Sequence, residues 1–168
     1  IFECVGSYVW SLKETESFII DSRIGKLELR FNAFGLTYLK ASKQIVTSEK
    51  LCKQAKKVQG QLEAYFDGER KNFNLQVFLI GTDFQRKTWA KLTKIPYGQT
   101  CSYGDLANKL GDNNASRAVG SGISKNPILI VIPCHRVLSH EGELTGYAGG
   151  LKLKQYLLDL ESKQMSLF

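Results

Sequence analysis

A cysteine, a histidine and an arginine follow one another at positions 134 to 136, in the segment ILIVIPCHRVLSH. Cysteine is nucleophilic as the thiolate, which a nearby imidazolium or guanidinium favours. Adjacent side chains diverge in most backbone conformations, so His135 is expected to reach Cys134 through a bridging water. These residue types predict a reactive thiol. The segment also fits a simpler alternative, in which Cys134 is a small buried hydrophobic residue.

The last predicted helix, LKLKQYLLDLE, offers a carboxylate that could orient the histidine. Leu153, Leu157 and Glu161 recur every four residues on one face. The opposite face is polar and holds Lys152, Gln155 and Asp159. A charge on an apolar face needs a partner, because an unpaired buried carboxylate is strongly destabilising. We therefore expect Glu161 to pair with His135 or an arginine, the alternative being that it reaches solvent at a frayed helix end.

The segment from Asn114 to about Ser124 predicts a short helix with two different faces. Its inward face comprises Ala115, Ala118, Val119, Gly122 and Ile123, and its outward face Arg117, Gly120, Ser121 and Ser124. A glycine inside a helix costs up to about 1 kcal/mol relative to alanine. Gly120 therefore indicates tight helix packing or the close approach of another surface. With a preceding helix from Ser102 to Leu110 that stops at Gly111, the pair matches a helix-turn-helix.

The sequence predicts a mixed α/β chain in two parts, residues 1–80 and 81–168, whose helices and strands must position these residues. Strands between Phe18 and Leu39 turn at Gly25 and Gly35 and predict an antiparallel sheet with one buried face. A helix from Ser48 to Phe66 and a strand in NFNLQVFLIG complete the first part. The second part opens with a helix capped by Thr82 or Asp83 and ended by Pro96 and Gly98, with Trp89 and Leu92 facing inward.

Composition restricts the function classes. The 168 residues, 43% of them hydrophobic, can bury a core, and the net charge of +7 with a pI near 9.2 favours a polyanionic partner such as nucleic acid. The four cysteines show no C-x-x-C spacing and there are two histidines, so neither a zinc site nor a disulfide framework is expected. This cysteine pattern favours the reducing cytoplasm. Charged residues interrupt every candidate membrane span.

Four motifs together resemble the O6-alkylguanine-DNA alkyltransferases, also called methylated-DNA–protein-cysteine methyltransferases. They are SRAVGSGISKNP at 116–127, IPCHRV at 132–137, GYAGGL at 146–151 and LLDLE at 157–161. Looser similarity in RIGKLELRFNAFGLTYL, GTDFQRKTW and IPYGQTCSYGDLA extends the resemblance over most of the chain. The resemblance implies an N-terminal ribonuclease-H-like domain at 1–80 and a C-terminal winged helix-turn-helix domain at 81–168. It also implies a monomer that needs no cofactor and no metal.

The resemblance implies a role for each candidate residue. Cys134 would accept the alkyl group, with His135 as its water-relayed base, Glu161 as the carboxylate that orients His135, and Asn126 holding the turn. The extruded base would be bound by Tyr103, Val137, Tyr147 and Ala148. Duplex DNA would contact Tyr103, Ala115, Ser116, Arg117, Gly120 and Ser121, with Arg117 replacing the extruded base and Tyr103 pressing on its phosphate.

The implied reaction is a single, irreversible transfer from O6-alkylguanine in duplex DNA, with O4-alkylthymine as a second candidate substrate. Ala148 departs from members that carry a hydroxyl at this position, so only its backbone N–H could bind the guanine oxygen. Zinc-binding residues found near the start of some members have no counterpart here. Two other classes stay open on the residues alone, a DNA-binding regulator with a sensory cysteine and a Cys-His hydrolase.

The C-terminal residues QMSLF resemble the short Gln-x-x-Leu-Phe peptides by which bacterial proteins dock on the replication sliding clamp. Gln164, Leu167 and Phe168 fit this pattern. The sequence therefore predicts a clamp contact, with a tail folded back onto the domain as the alternative.

Overall fold

The computed structural model describes residues 16–44, 51–112 and 114–165. It has the mixed α/β composition that the sequence predicts, and the chain divides into two compact units, residues 1–80 and 81–168. None of the helices in the described ranges combines the length and the apolar character that crossing a bilayer requires.

The sheet of the first unit has three antiparallel strands, which confirms the predicted antiparallel sheet. They are β1 (Glu16–Ile20), β2 (Leu27–Asn32) and β3 (Gly35–Ala41), in the order β1-β2-β3. Leu27, Leu29 and Phe31 alternate along β2 and are all buried, as the period of two requires. Gly25 turns the chain between β1 and β2 with φ of +99°, a conformation that side chains other than glycine rarely adopt.

The helix of the first unit, α1 (Lys53–Phe66), begins later than predicted. Leu51 and Cys52 precede it, and the Cys52 thiol accepts a hydrogen bond from the Ala55 N–H at 3.4 Å, which caps the helix start. Ser48, the predicted start, lies outside the described residues. The helical spacing of Leu51, Ala55, Val58, Leu62 and Tyr65 predicts one inner face, and the last four are buried, whereas Leu51 is half-buried and precedes the helix.

The predicted strand in NFNLQVFLIG is wrong. Only Val77 forms a β-bridge, with Leu36 of β3. The Leu36 N–H donates to the Gln76 carbonyl at 2.9 Å, and the Phe78 N–H donates to the Leu36 carbonyl at 2.9 Å. An alternating apolar pattern favours an extended backbone, but a strand also needs a continuous hydrogen-bonding partner, and here the pairing stops after one residue.

In the part of the second unit that the structure describes, there are four helices and two short strands, and the first three helices pack on one another. The helices are α2 (Asp83–Leu92), α3 (Tyr103–Leu110), α4 (Ser116–Ser124) and α5 (Leu151–Met165). The strands β4 (Cys101–Ser102) and β5 (Val137–Leu138) pair in parallel. Capping boxes at Thr82 and Ser102 start α2 and α3, and Gly111 ends α3 with φ of +88°. These helix boundaries follow the predicted caps, except that α2 ends before Pro96.

The inward face of α4 packs on α2. Trp89 of α2 is 1% exposed, and its indole N–H donates to the Gly122 carbonyl at 2.9 Å. Of the predicted inward residues, Ala115, Val119, Gly122 and Ile123 are buried, but Ala118 is exposed, so its assignment is wrong. Successive helical residues turn by about 100°, which places Ala118 at the edge of that face, where its neighbours no longer cover it.

Candidate active site

A cavity of about 410 Å³ opens in the second unit above the thiol of Cys134. Its lining comes from α3, α4, the turn at Cys134 and the glycine-rich loop before α5, and comprises Tyr103, Gly120, Ile123, Ser124, Cys134, Thr145, Gly146, Tyr147 and Ala148. The fold therefore brings five of the predicted site residues to one cavity: Tyr103, Gly120, Cys134, Tyr147 and Ala148. Its volume suits a planar group of the size of a nucleobase.

Asn126 holds the thiol in place. Its buried side-chain amide donates to the Ile132 carbonyl at 2.9 Å and to Sγ of Cys134 at 3.0 Å, while its Oδ1 accepts from the Ile128 N–H at 3.0 Å. A hydrogen bond to sulfur favours the thiolate over the thiol. Cys134 is 2% exposed and starts a 3-10 turn, Cys134–Arg136. Asn126 can therefore both shape the turn and activate the sulfur.

The chain leading to Cys134 contains a strained residue. Ile130 has φ of +71°, in the left-handed region, and is 2% exposed. This conformation costs a β-branched residue about 1–2 kcal/mol. Hydrogen bonds on either side hold it: the Val131 N–H donates to the Leu129 carbonyl at 2.8 Å, and the Ile132 N–H donates to the Ile128 carbonyl at 3.1 Å.

Glu161 lies at the centre of a buried ionic network. Its carboxylate is 2.9 Å from Nε2 of His135 and accepts from Nε of Arg136 at 2.9 Å, from Nη2 of Arg136 at 2.8 Å and from the Gly98 N–H at 2.9 Å. Burial raises the pKa of Glu161, but the hydrogen bonds from His135 and Arg136 outweigh it and lower the pKa to about 2. Glu161 is thus an ionised, fully engaged acceptor, as its place on the apolar face of α5 predicts.

The network fixes the proton on His135. Because ionised Glu161 can only accept, Nε2 of His135 must carry the hydrogen and donate, which leaves a lone pair on Nδ1. Nδ1 is buried and makes no hydrogen bond to any residue that the structure describes. Burial lowers the pKa of His135, against the opposing effect of Glu161. At neutral pH the imidazole is a neutral base with Nδ1 as the accepting nitrogen.

Two further charged residues belong to the site: Arg136, which the sequence placed beside the thiol without assigning it to Glu161, and Lys154, which was missed. Arg136 is 6% exposed and binds both Glu161 and, through Nη1, the Ile95 carbonyl at 2.6 Å. Lys154 is fully buried, and its ammonium donates to the Val137 carbonyl at 2.5 Å and to the Thr145 carbonyl at 3.0 Å. Burial lowers the pKa of Lys154, against the effect of the Cys134 charge. A signal was present, because Lys154 lies three residues before Leu157 on the buried face of α5.

Lys154 and Tyr103 hold the loop that closes the cavity. Lys154 fixes the carbonyl of Thr145, and the hydroxyl of Thr145 donates to the Tyr103 hydroxyl at 2.9 Å. Tyr147 follows on the same loop, and burial raises the pKa of its phenol well above the ordinary value, with the charges of Cys134 and Glu161 adding to this. The Tyr147 phenol therefore stays protonated and can donate a hydrogen bond into the cavity.

Four of the remaining predicted residues lie on helix α4 or at its start. On α4, Arg117 and Ser121 are exposed, Ser116 is half-buried, and Ala115 is mostly buried at the helix start. The ring of Tyr103 lies 3.7 Å from the position that a Cβ on Gly120 would take, so an alanine there would make an ordinary van der Waals contact with Tyr103.

Val137 lies in β5, fully buried, and is not among the residues that line the cavity. Gln164 belongs to the last turn of α5, whereas Leu167 and Phe168 lie outside the described residues, so the clamp contact stays a prediction. Within the described ranges, no group of three or more potential ligands could hold a metal ion.

Comparison with known proteins identifies the family. Residues 83–163 match the family model "6-O-methylguanine DNA methyltransferase, DNA binding domain". A methylated-DNA–protein-cysteine methyltransferase of Methanosarcina acetivorans is 44% identical over 152 residues, which cover 85% of this chain and 96% of that protein. This chain belongs to the methylated-DNA–protein-cysteine methyltransferase family. The resemblance seen in the four motifs is thereby confirmed.

Other methyltransferases of this family are also similar to this chain. An inducible methylated-DNA–protein-cysteine methyltransferase of Bacillus subtilis is 50% identical over 106 residues, which cover 63% of this chain and 59% of that protein. Among solved structures, Mycobacterium tuberculosis OGT in complex with DNA matches with a TM-score of 0.81 and 41% identity, covering 89% of this chain and 94% of that one.

Proposed function

We propose that this protein repairs DNA by transferring an alkyl group from O6 of guanine in a duplex to Sγ of its own Cys134. The carrying observation is the cavity, which holds this sulfur against the amide of Asn126 and beside the Glu161–His135 pair. Membership of the methyltransferase family and the DNA complex of the mycobacterial relative support the same reaction.

In the proposed step, Nδ1 of His135 takes the thiol proton through a water, and the sulfur attacks the alkyl carbon in line. The S–C bond forms as the bond from carbon to O6 breaks, and the guanine keeps that electron pair. The guanine takes up one proton to leave as the neutral base, which balances the proton lost by the thiol. The Tyr103 hydroxyl or the backbone N–H of Ala148 can stabilise the departing oxygen.

The product explains why one protein would repair one lesion. A thioether has no carbonyl for water to attack, so the cysteine is not regenerated. Cys134 is then a reagent consumed once, unlike the nucleophile of a Cys-His hydrolase, which is released at every turnover.

The duplex is proposed to meet α4. Helices α3 and α4 would act as the helix-turn-helix of a winged domain, with Gly120 and Ser121 allowing close approach to the minor groove. Exposed Arg117 would fill the space left by the extruded base, which offsets part of the few kcal/mol that extrusion costs. We further propose that the first unit has ribonuclease-H-like topology and that the protein works as a monomer without a metal or cofactor.

Mass spectrometry after incubation with duplex DNA containing O6-methylguanine tests the function. We expect one methyl group per protein, on the peptide that contains Cys134, and none in a Cys134→Ala variant. A Cys101→Ala variant is the matched control, because Cys101 is half-buried and does not line the cavity. A parallel duplex with O4-methylthymine measures the second candidate substrate.

Two outcomes would contradict the proposal. Repeated turnover with an unmodified Cys134 would indicate a hydrolase. DNA binding without any methyl transfer would indicate a regulator.

A further inference from the structure

Four lysines line a second groove of the C-terminal unit, away from Cys134. The groove has a volume of about 240 Å³ and is formed by Lys87, Ala90, Lys91, Lys94, Lys109 and Leu110. None of these residues lines the cavity above Cys134. Helix α3 connects the two places, since it begins at Tyr103 in the cavity and ends at Leu110 in the groove, about 10 Å along its axis.

The positive charge of this lysine groove is only partly offset by its own helices, through the attraction between Asp105 and Lys109 on α3. Asp83, the acidic residue of α2, pairs with Arg86, and Asp105, the acidic residue of α3, accepts from the N–H and hydroxyl of Ser102. Among the described residues, none of the four lysines forms an ion pair. Lys87 and Lys91 are also one helical turn apart, a like-charge spacing that weakens a helix.

The spacing of the lysines fits a sugar-phosphate backbone. Lys87 and Lys91 lie four residues apart on α2, about 6 Å along its axis, and Lys94 follows two residues after the helix ends. One strand of duplex DNA rises 3.4 Å per nucleotide, so the two helical lysines alone span about two nucleotides. Lysines bind phosphates as point charges and read no sequence, which suits a surface outside the site where the base is recognised.

We propose that the lysine groove binds the phosphate backbone of duplex DNA and supplies sequence-independent affinity, separately from α4. This rests on the proposed function in taking duplex DNA as the partner. Binding here holds the protein on undamaged duplex, whereas the Cys134 cavity acts at the lesion. Its affinity must fall steeply with salt, because every phosphate contact releases condensed counterions.

The test compares two triple variants of equal charge. K87Q/K91Q/K94Q removes two lysines of α2 and the one that follows it, and K53Q/K56Q/K57Q removes three exposed lysines from α1 of the first unit. Each lowers the net charge by three, from +7 to +4. Glutamine has a helix propensity close to that of lysine, so both helices are retained. Reaction with free O6-benzylguanine, which needs Cys134 but no duplex, checks that each variant is folded and active.

Fluorescence anisotropy with undamaged duplex between about 50 and 200 mM salt gives the readout. For the groove variant we expect binding about tenfold weaker at the low-salt end, and a salt slope that falls by up to about 0.9 for each lysine removed. The α1 variant keeps the wild-type slope, and the reaction with free O6-benzylguanine is the same in all three proteins.

The inference is overturned if the groove variant binds DNA as tightly as the α1 variant. Such a result would mean that only the net charge of the protein affects DNA binding, or that the groove binds an acidic protein instead. Failure of the proposed function is a different result. In that case the wild-type protein transfers no alkyl group, while the binding comparison between the two variants can still be made.

Discussion

The two units of the chain differ in where their charged side chains lie. In the first, the buried polar residues Asn32, Thr37 and Gln61 are all neutral, and ion pairs such as Lys26–Asp21 lie at the surface. Among the described residues of the second unit, besides the thiol of Cys134, four acidic or basic side chains are at most 6% exposed: His135, Arg136, Lys154 and Glu161.

The difference shows which unit gives up stability for chemistry. Removing a charge from water costs several kcal/mol even when it is paired, and an apolar core of the same volume is often as stable or more so. The buried network therefore affects the protonation of the thiol and the imidazole, whereas the surface ion pairs of the first unit affect no reactive group. Four measurements test this contrast.

The largest effect is expected from Glu161→Gln. The amide keeps the size of the side chain but leaves Arg136 and His135 without their anionic partner, so we expect a loss of about 3–5 kcal/mol in the free energy of unfolding. Urea denaturation followed by circular dichroism measures it. Asp159→Asn, on the exposed face of the same helix, is the control. Equal losses in the two variants would show that the network carries no special weight.

Acid should weaken the second unit through the same carboxylate. Its pKa falls from 4.5 to about 2 on folding, so its contribution is complete above about pH 4.5 and is lost as the pH falls towards 2. We expect the melting temperature of the wild type to drop over this range, and to drop less in Glu161→Gln. Parallel melting curves that stay a constant distance apart would contradict the assignment.

A smaller loss is expected from Lys154→Met. Methionine fills a similar volume, but the carbonyls of Val137 and Thr145 lose their donor, which costs about 1–3 kcal/mol. Alkyl transfer should slow as well, because the loop that carries Thr145 is no longer fixed beside Tyr103. Urea denaturation and single-turnover kinetics measure the two effects. Lys152→Met, one exposed position of the same helix, should change neither.

The smallest effect is expected at the surface pairs of the first unit. Lys26→Gln and Arg23→Gln each remove an exposed partner, of Asp21 and Asp67 respectively, and should cost about 0–1 kcal/mol, less at high salt. Urea denaturation at two salt concentrations measures both the cost and its dependence on salt. A cost as large as that of Glu161→Gln would remove the contrast between the units.

The sequence predicted the parts of the site that depend on regular spacing. A carboxylate on the apolar face of α5 had to be buried and paired, and Glu161 is. The caps of α2 and α3 and the inward Trp89 followed from local rules in the same way. Asn126 was expected to hold the turn at Cys134, but the hydrogen bond from its amide to Sγ depends on the folded turn and could not be predicted.

Other parts depend on which segments meet, and local patterns do not contain that information. Arg136 adjoins Cys134 in sequence, but its pairing with Glu161 requires the 3-10 turn that directs it towards α5. Lysine is rarely buried, so residue type alone argues against a buried Lys154, although its position on the helix places it on the buried face. The predicted strand before Gly81 failed for a similar reason, because β3 offers a partner only at Leu36.

The strained backbone at Ile130 limits how the site around Cys134 can be moved into another protein. Because that residue prefers another conformation when nothing surrounds it, a synthetic peptide spanning Asn126 to Val137 would relax and separate the amide from the sulfur. The geometry at Cys134 is thus a property of the complete second unit. Grafting this site onto another scaffold would require the surrounding core to come with it.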